Sequence, residues 1–372
     1  MRVCVDARMI FSSGIGTIIQ NFLLRFSGEF SLIAIGDKTL IESFLTGKIN
    51  YEILHCEIPI YSLKEQLLLP KLIPVCDIFW SPHYNIPLLP IKAKKRVVNV
   101  NDVFHLANSH TIRWHQWLYA KLVINQAVTK SDRVITISEF SKAEIIKYTK
   151  LPKLSKIELI YCGVDHGLFK VITKGEALNK IRVKYNLPTK YILFVGNIKP
   201  HKNLKVLVNA LALLKDKMGG CKLVIVGKKD GFINGDPLLF DQISKDQFLK
   251  DSIYFTGFVP NEDLPFLYNL ASLFVFPSRY EGFGLPPLEA MACGCLVLVS
   301  NAASIPEICG NSARYFDPSS PEDLANKIAE CFSDKKNELY IRKGLDHSKS
   351  FSWEESYRKQ LTLFHNVINN IS

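Results

Sequence analysis

Short apolar runs alternate with longer stretches of helical spacing along most of the chain. Arg2 to Asp6, Phe30 to Ile35, Asp77 to Trp80, Val97 to Val100, Arg133 to Ile137 and Lys156 to Ile160 read as strands. Thr17 to Phe26 and about Thr111 to Thr129 have helical apolar spacing, and Ser138 or Ser141 is placed to cap a further helix. The glycine-bearing stretch Tyr161 to Gly167 interrupts this series. Beyond it, a helical stretch to Tyr185 leads to strands at Tyr191 to Val195, Lys222 to Val226, Ser252 to Thr256, Leu273 to Phe276 and Cys295 to Val299. Helices follow from about Pro321 to Ser348, and a last one runs from about Trp353 to Ile371. Two successive βα series without internal repeats predict an α/β protein of two doubly wound parallel-sheet domains with a cleft between them. The division is expected at 165/166, giving residues 1–165 and 166–352, with the last helix at 353–372.

The densest chemistry lies in Phe276 to Gly310. A strand stops at Pro277-Ser278, and the loop after it carries Glu281, with Gly282 and Gly284 around Phe283. Pro286 and Pro287 fall where the first turn of a helix tolerates them, since their missing N–H groups would be unpaired there anyway. A helix from Leu288 to Ala292 then carries Glu289. In open α/β sheets, ligands bind at the carboxyl ends of strands. Glycine lets a ligand approach the backbone, and a helix N-terminus favours an anion. A second loop, Gly196 to Leu204 with Lys199 and Lys202, follows another strand of the same series, so both belong to one sheet edge. Cations and amides for negative charge, with carboxylates for hydroxyls, fit a nucleoside diphosphate sugar. No acidic cluster builds a metal site, so a leaving diphosphate is expected to be stabilised by protein cations and the helix dipole, without a metal or other cofactor.

The first half offers looser signals. Ser12 to Gly16 is a tight turn, but Ile19 stands where a dinucleotide fingerprint needs a third glycine. The turn either simply requires small residues or lets a diphosphate come close. Lys94-Lys95-Arg96 is a basic run before a strand, and Asn101-Asp102-Val103-Phe104-His105 is a polar cluster after it. The helix near 111–129 holds Trp114, Trp117, Leu118 and Leu122 with Arg113, Lys121 and Lys130. It is either a packed amphipathic helix or an interfacial one meeting a lipid-linked substrate.

Composition narrows the setting. A chain of 372 residues calls for two cores, and a hydrophobic share of 48% is ordinary for a folded protein. No apolar run reaches the length of a membrane span, and the N-terminus enters a strand pattern directly, without a signal peptide. Nine scattered cysteines read as buried thiols in a reducing compartment, the cytoplasm. The net charge of +11 favours polyanionic partners, among which nucleic acid ranks last for want of a fingerprint or basic tail.

Glu281 and Glu289, set in Gly282-Phe283-Gly284-Leu285-Pro286, resemble the signature of the retaining glycosyltransferases of family 4, which have the two-domain GT-B fold. The resemblance extends to Val5-Asp6-Ala7-Arg8, Gly14-Ile15-Gly16, Trp80 to Asn85, Asp102 to Ala107, Ser138 to Ser141, Gly163-Val164-Asp165, Gly196 to Leu204, Val259-Pro260 and Phe351 to Glu354. It implies two Rossmann-like domains, the first taking the acceptor and the second the donor, with the last helix crossing back to the first. It implies that Glu281 meets the donor sugar hydroxyls, Glu289 the ribose, and the amides of Phe283, Gly284 and Leu285 the sugar and phosphate. Lys202 would hold the diphosphate, with Gly16, Gly196 and Gly282 in the adjoining loops, and Val259 would lie at the base pocket. The chain departs from the family pattern at His201 and Asn197, where arginines are common, and at Asn101, where a sugar-contacting histidine is usual. The wording resembles mannosyltransferases of bacterial surface polysaccharides. GDP-mannose is therefore the first expected donor and a UDP- or dTDP-sugar the second, with a saccharide or polyprenyl-linked saccharide acceptor and peripheral contact with an anionic membrane. The competing expectations are a catalytically weak nucleotide-sugar-binding protein and a retaining glycoside hydrolase using the two glutamates, which would need them about 5–5.5 Å apart.

Overall fold

Two parallel sheets, each with its own core, account for the alternation in the sequence. The structure, a computed structural model, describes the chain apart from residues 27, 46–50, 216–218, 228–235 and 372. One compact unit comprises Met1–Cys162 with Trp353–Ser372, and the other Gly163–Ser352. The boundary falls slightly before the expected 165/166, because Val164 pairs with Ser352 and its amide donates to Phe351 O at 3.0 Å.

In the N-terminal unit, β1 (Arg2–Asp6), β2 (Ser31–Gly36), β3 (Tyr51–His55), β4 (Cys76–Ser81), β5 (Ala93–Asn99), β6 (Arg133–Thr136) and β7 (Ile157–Leu159) lie in the order β3-β2-β1-β4-β5-β6-β7. All pairs are parallel. The central strands are apolar on both faces because helices cover both, as a parallel sheet requires. The helix Ser13–Phe26 and the last helix, Trp353–Ile368, pack through aromatic rings, with Phe364 5.3 Å from Phe26 and Trp353 6.1 Å from Phe22.

In the C-terminal unit, β8 (Tyr191–Val195), β9 (Lys222–Val226), β10 (Ile253–Gly257), β11 (Leu273–Phe276), β12 (Val297–Ser300) and β13 (Arg314–Phe316) lie in the order β10-β9-β8-β11-β12-β13. Leu207, Leu211, Leu324 and Ile328 from two helices bury against Ile192, Ile225, Val275 and Leu298 of the sheet. Each sheet changes winding direction once, between β1 and β4 and between β8 and β11. Crevices for ligands open at such switch points, outside the carboxyl ends of the strands.

Several expectations need correction. The basic run Lys94–Arg96 lies inside β5 and not before it. Asp77 and Asp132 take up its two lysines at 2.8 and 3.4 Å, and buried Arg96 donates to Pro87 O at 2.7 Å. Strands β3 and β13 escape the apolar pattern of the sequence, because edge strands are only partly covered and lack a continuous apolar run. The helix after β1 begins at Ser13, so Gly16 lies in its first turn and not before it. A Cβ at Gly16 would stand 2.5 Å from Ile10 O, so close packing of that turn is enough to require glycine. All nine cysteines are buried free thiols.

Candidate functional site

The loops after β8 and β11 meet at the switch point of the C-terminal sheet. After β8 the chain passes Gly196 and exposed Asn197 and Lys199, then makes one turn of 3-10 helix over Pro200–Lys202. Asn203 ends that turn in the left-handed region, at φ 57°. Its buried side-chain amide donates to Pro277 O at 3.0 Å and Pro318 O at 2.8 Å, pinning the loop to the end of β11. A second tie joins Arg279 N to His201 O at 2.8 Å. These clamps bring Lys202 Nζ to 2.6 Å from Glu281 Oε1, with the two side chains only 18% and 13% exposed. The same ammonium lies 5.5 Å from the centre of the Phe276 ring.

The loop carrying Glu281 is held from below. The Ser304 hydroxyl lies 2.9 Å from Glu281 O and 2.7 Å from Phe283 O, and Ser300 donates to Ser278 O. Phe283 is buried edge-on against Phe351 at 5.9 Å. Gly284 starts the helix Leu285–Ala292 at φ 119°, a conformation open to glycine but strained for other residues. Pro286 and Pro287 fill the first turn, so the donors at this helix end narrow to the amides of Gly284 and Leu285. On the same helix, partly buried Glu289 accepts from the Tyr268 hydroxyl at 3.0 Å. Burial pushes the Glu289 carboxyl up to about 7, and the tyrosine bond opposes that rise. Val259 is buried in the loop after β10.

The N-terminal switch point is built differently. Asp6, at the end of β1, takes two bonds from the Arg8 side chain, at 2.8 and 2.7 Å. Arg8 also pairs with Glu65, and Glu65 accepts from Asn85 and from Tyr61 N at 2.8 Å. Asn85 in turn accepts from the Tyr119 hydroxyl at 2.6 Å, and His83 Nε2 lies 3.3 Å from Asp6. Burial would raise the Asp6 carboxyl, but Arg8 and then His83 outweigh it and hold Asp6 below the usual carboxylate range. Asn101 follows β5; its carbonyl accepts from Ser141 at 2.8 Å, while its Oδ1 is buried with no hydrogen-bond partner among the described residues. His105 lies in the short helix Phe104–Ala107, its ring 6.1 Å from that of Tyr84. Among the described residues, no group of three or more His, Cys, Asp or Glu side chains gathers as a metal ion would require.

Residues 178–344 match the family model described as Glycosyl transferases group 1, and residues 44–168 match that of Glycosyltransferase Family 4. The O-antigen chain mannosyltransferase B of Escherichia coli is 30% identical over 280 residues, covering 74% of this chain and 71% of that protein. The chain belongs to the group 1 glycosyl transferases. A second relative, the serotype-specific mannosyltransferase WbdA of Escherichia coli, is 33% identical over 229 residues, which cover 60% of this chain and 27% of WbdA. Among solved structures, Anabaena HepE in complex with UDP and glucose superposes with a TM-score of 0.79 at 19% identity, covering 98% of this chain and all of that one. That likeness establishes the GT-B fold.

In this glycosyl transferase, the residues that position the site leave no mark in the local sequence. Asn203, Ser304 and Tyr268 act on backbone carbonyls or on another side chain. A serine after a strand or a tyrosine within a helix carries no local signature of such a task.

Proposed function

We propose that this glycosyl transferase is a retaining hexosyltransferase. It moves mannose from GDP-mannose to a saccharide acceptor, free or polyprenyl-linked, in the synthesis of a bacterial surface polysaccharide. The mannosyl donor and the polysaccharide are taken from the names of the relatives. The observation that carries the reading is the contact of Lys202 with Glu281 at the switch point, beside the amides of Gly284 and Leu285. An ammonium and amides suit the diphosphate, and a carboxylate at the same spot suits a sugar hydroxyl. Glu289 accepts from the ribose, Val259 flanks the base, and Phe283 shapes the sugar side. Gly196, Asn197, His201 and Gly282 let the backbone approach the ligand.

The acceptor oxygen bonds to the anomeric carbon as the bond from that carbon to the phosphate oxygen breaks. The acceptor attacks the face the diphosphate leaves, and the departing phosphate oxygen takes the acceptor's proton. Charge on the leaving group falls to Lys202 and the helix end, so no metal is required.

A panel of nucleotide sugars tests the reading. A donor bound only by the folded chain raises the melting temperature, and at a fixed concentration the rise grows with the logarithm of its affinity. GDP-mannose is expected to give the largest rise and, with acceptor, to release GDP while forming an α-linkage visible in the product's anomeric NMR coupling, with EDTA present. Release of free sugar from a glycan without a nucleotide product, or failure of every donor to bind, would sink it.

A further inference from the structure

Tyr191 and Tyr268 are both wholly buried in the C-terminal unit, and they use their hydroxyls differently. Tyr191, at the start of β8, donates to Leu267 O at 2.8 Å. Tyr268 is the next residue of that same helix, Leu264–Leu270, and donates to Glu289 Oε2 at 3.0 Å. A buried hydroxyl is costly unless it is bonded, and most side-chain hydrogen bonds go to backbone or water. Tyr191 follows that habit. Tyr268 gives its bond to a carboxylate on the helix that starts at the donor site.

The tyrosine is held firmly. Its ring meets Phe274 of β11 edge-on at 5.4 Å and Phe169 at 6.1 Å. The residues on either side are tied as well, Leu267 by Tyr191 and Asn269 by Ile172 N at 2.8 Å and Lys170 O at 3.0 Å. A donor locked by packing and by its own supports holds its acceptor in one rotamer. Glu289 Oε2 is thereby fixed, while Oε1 accepts no hydrogen bond among the described residues and stays open to solvent.

No cation joins this pair. Among the described residues, Tyr268 is the one group that favours the charged form of Glu289, against the burial that opposes it. Cys293, one helical turn further on, and Cys295 beyond it are the other titratable groups facing the pair. Burial first, and then the charge of Glu289, raises the Tyr268 hydroxyl and the Cys293 thiol, and burial raises the Cys295 thiol. All three keep their protons near neutral pH, where Glu289, at about 7, changes charge.

We infer that Tyr268 is a positioning residue for the donor: it holds Glu289 as a carboxylate with one oxygen fixed and the other free, and so sets the preference of the chain for a nucleotide that carries ribose hydroxyls. The inference rests on the reading that Glu289 takes the ribose, and adds the group that makes Glu289 fit for that task. A carboxylate is acceptor-only, whereas a protonated carboxyl gives up part of its acceptor capacity. Without the tyrosine only burial acts on Glu289, and the proton is held to higher pH. The ribose lies away from the reacting carbon, so its contact acts equally before and during transfer. Loss of such a contact raises KM and spares kcat.

Calorimetric affinities for GDP and for 2′,3′-dideoxy-GDP, from below to above neutral pH, test it (UDP and its dideoxy form where the donor panel selects uridine). The native chain is expected to prefer the ribose form about tenfold above neutral pH, and progressively less below it as Glu289 takes up its proton. Tyr268→Phe should weaken GDP binding about tenfold at neutral pH, leave dideoxy-GDP binding unchanged, and regain part of the preference at higher pH. It should raise KM for the nucleotide sugar with kcat unaltered. Tyr191→Phe, which removes the other buried hydroxyl from the same helix, should lower the unfolding midpoint comparably and leave the ratio of the two affinities alone. A Tyr268→Phe chain that keeps the native ratio, or that loses both nucleotides alike, overturns the inference; the ribose reading then stands if Glu289→Gln abolishes the preference. A native chain indifferent to the ribose hydroxyls overturns the inference together with the role of Glu289, while sugar transfer itself is judged by the donor panel.

Discussion

At the carboxyl edge of the N-terminal sheet, the side chains of Asp6, Arg8, Glu65, Asn85 and Tyr119 bond to one another. At the same edge of the C-terminal sheet, the clamps of Asn203, Ser300 and Ser304 fall on backbone carbonyls. The side chains of Lys202 and Glu281 stay partly accessible and, among the described residues, have only each other as partner in charge. The two edges share a topology and differ in where the hydrogen bonds are spent. A network whose polar atoms are mutually satisfied holds a fold together. A loop fixed through its backbone holds side chains ready for something else.

That contrast predicts which substitutions damage stability and which damage turnover. The largest stability effect is expected from Arg8→Met. It strands two buried carboxylates, and loss of one member of a buried ionic cluster costs about 3–5 kcal/mol. Urea unfolding measures it, and a cost near zero would erase the distinction between the two edges. Glu281→Ala and Lys202→Ala should each lower turnover ~100- to 1,000-fold, the scale of losing one electrostatic stabiliser in an active site. Their unfolding midpoints should move far less than that of Arg8→Met.

Glu289 gives a pH signature. Its folded carboxyl, near 7, lies above the ordinary 4.5, so folding binds a proton that the unfolded chain releases. The resulting stabilisation is complete below about 4.5 and is lost as the pH rises through about 7, roughly 3 kcal/mol in all at 1.36 kcal/mol per unit. Glu289→Gln should flatten that part of the stability profile, and a variant as steep as the native chain would contradict the assignment. Ser304→Ala is the mildest change. Two carbonyls lose one shared donor, for about 1–2 kcal/mol of stability, and turnover should fall only several-fold as the loop beneath Glu281 loosens.

The parts legible beforehand are those with local signals. Gly284 and the prolines at 286 and 287 announce a helix start after a strand, and Glu281 and Glu289 stand in that context. Continuous apolar runs such as Leu273–Phe276 announce buried parallel strands. The adjacency of β8 and β11, which puts Lys202 against Glu281, is a property of strand order and has no local trace. The same holds for the Arg8 network, assembled from residues far apart in the chain.

On the proposed reading, the Lys202–Glu281 contact also governs how the reaction ends. A nucleotide sugar separates the pair and repays both partners, the ammonium with phosphate and the carboxylate with hydroxyls. The spent nucleoside diphosphate repays only the lysine and leaves Glu281 beside added negative charge. Return of Lys202 to Glu281 then competes with the product for the same cation. The pair therefore favours departure of the product over departure of the donor. Glu281→Gln, which removes the competitor while keeping the shape, should make the chain more sensitive to inhibition by the nucleoside diphosphate it releases.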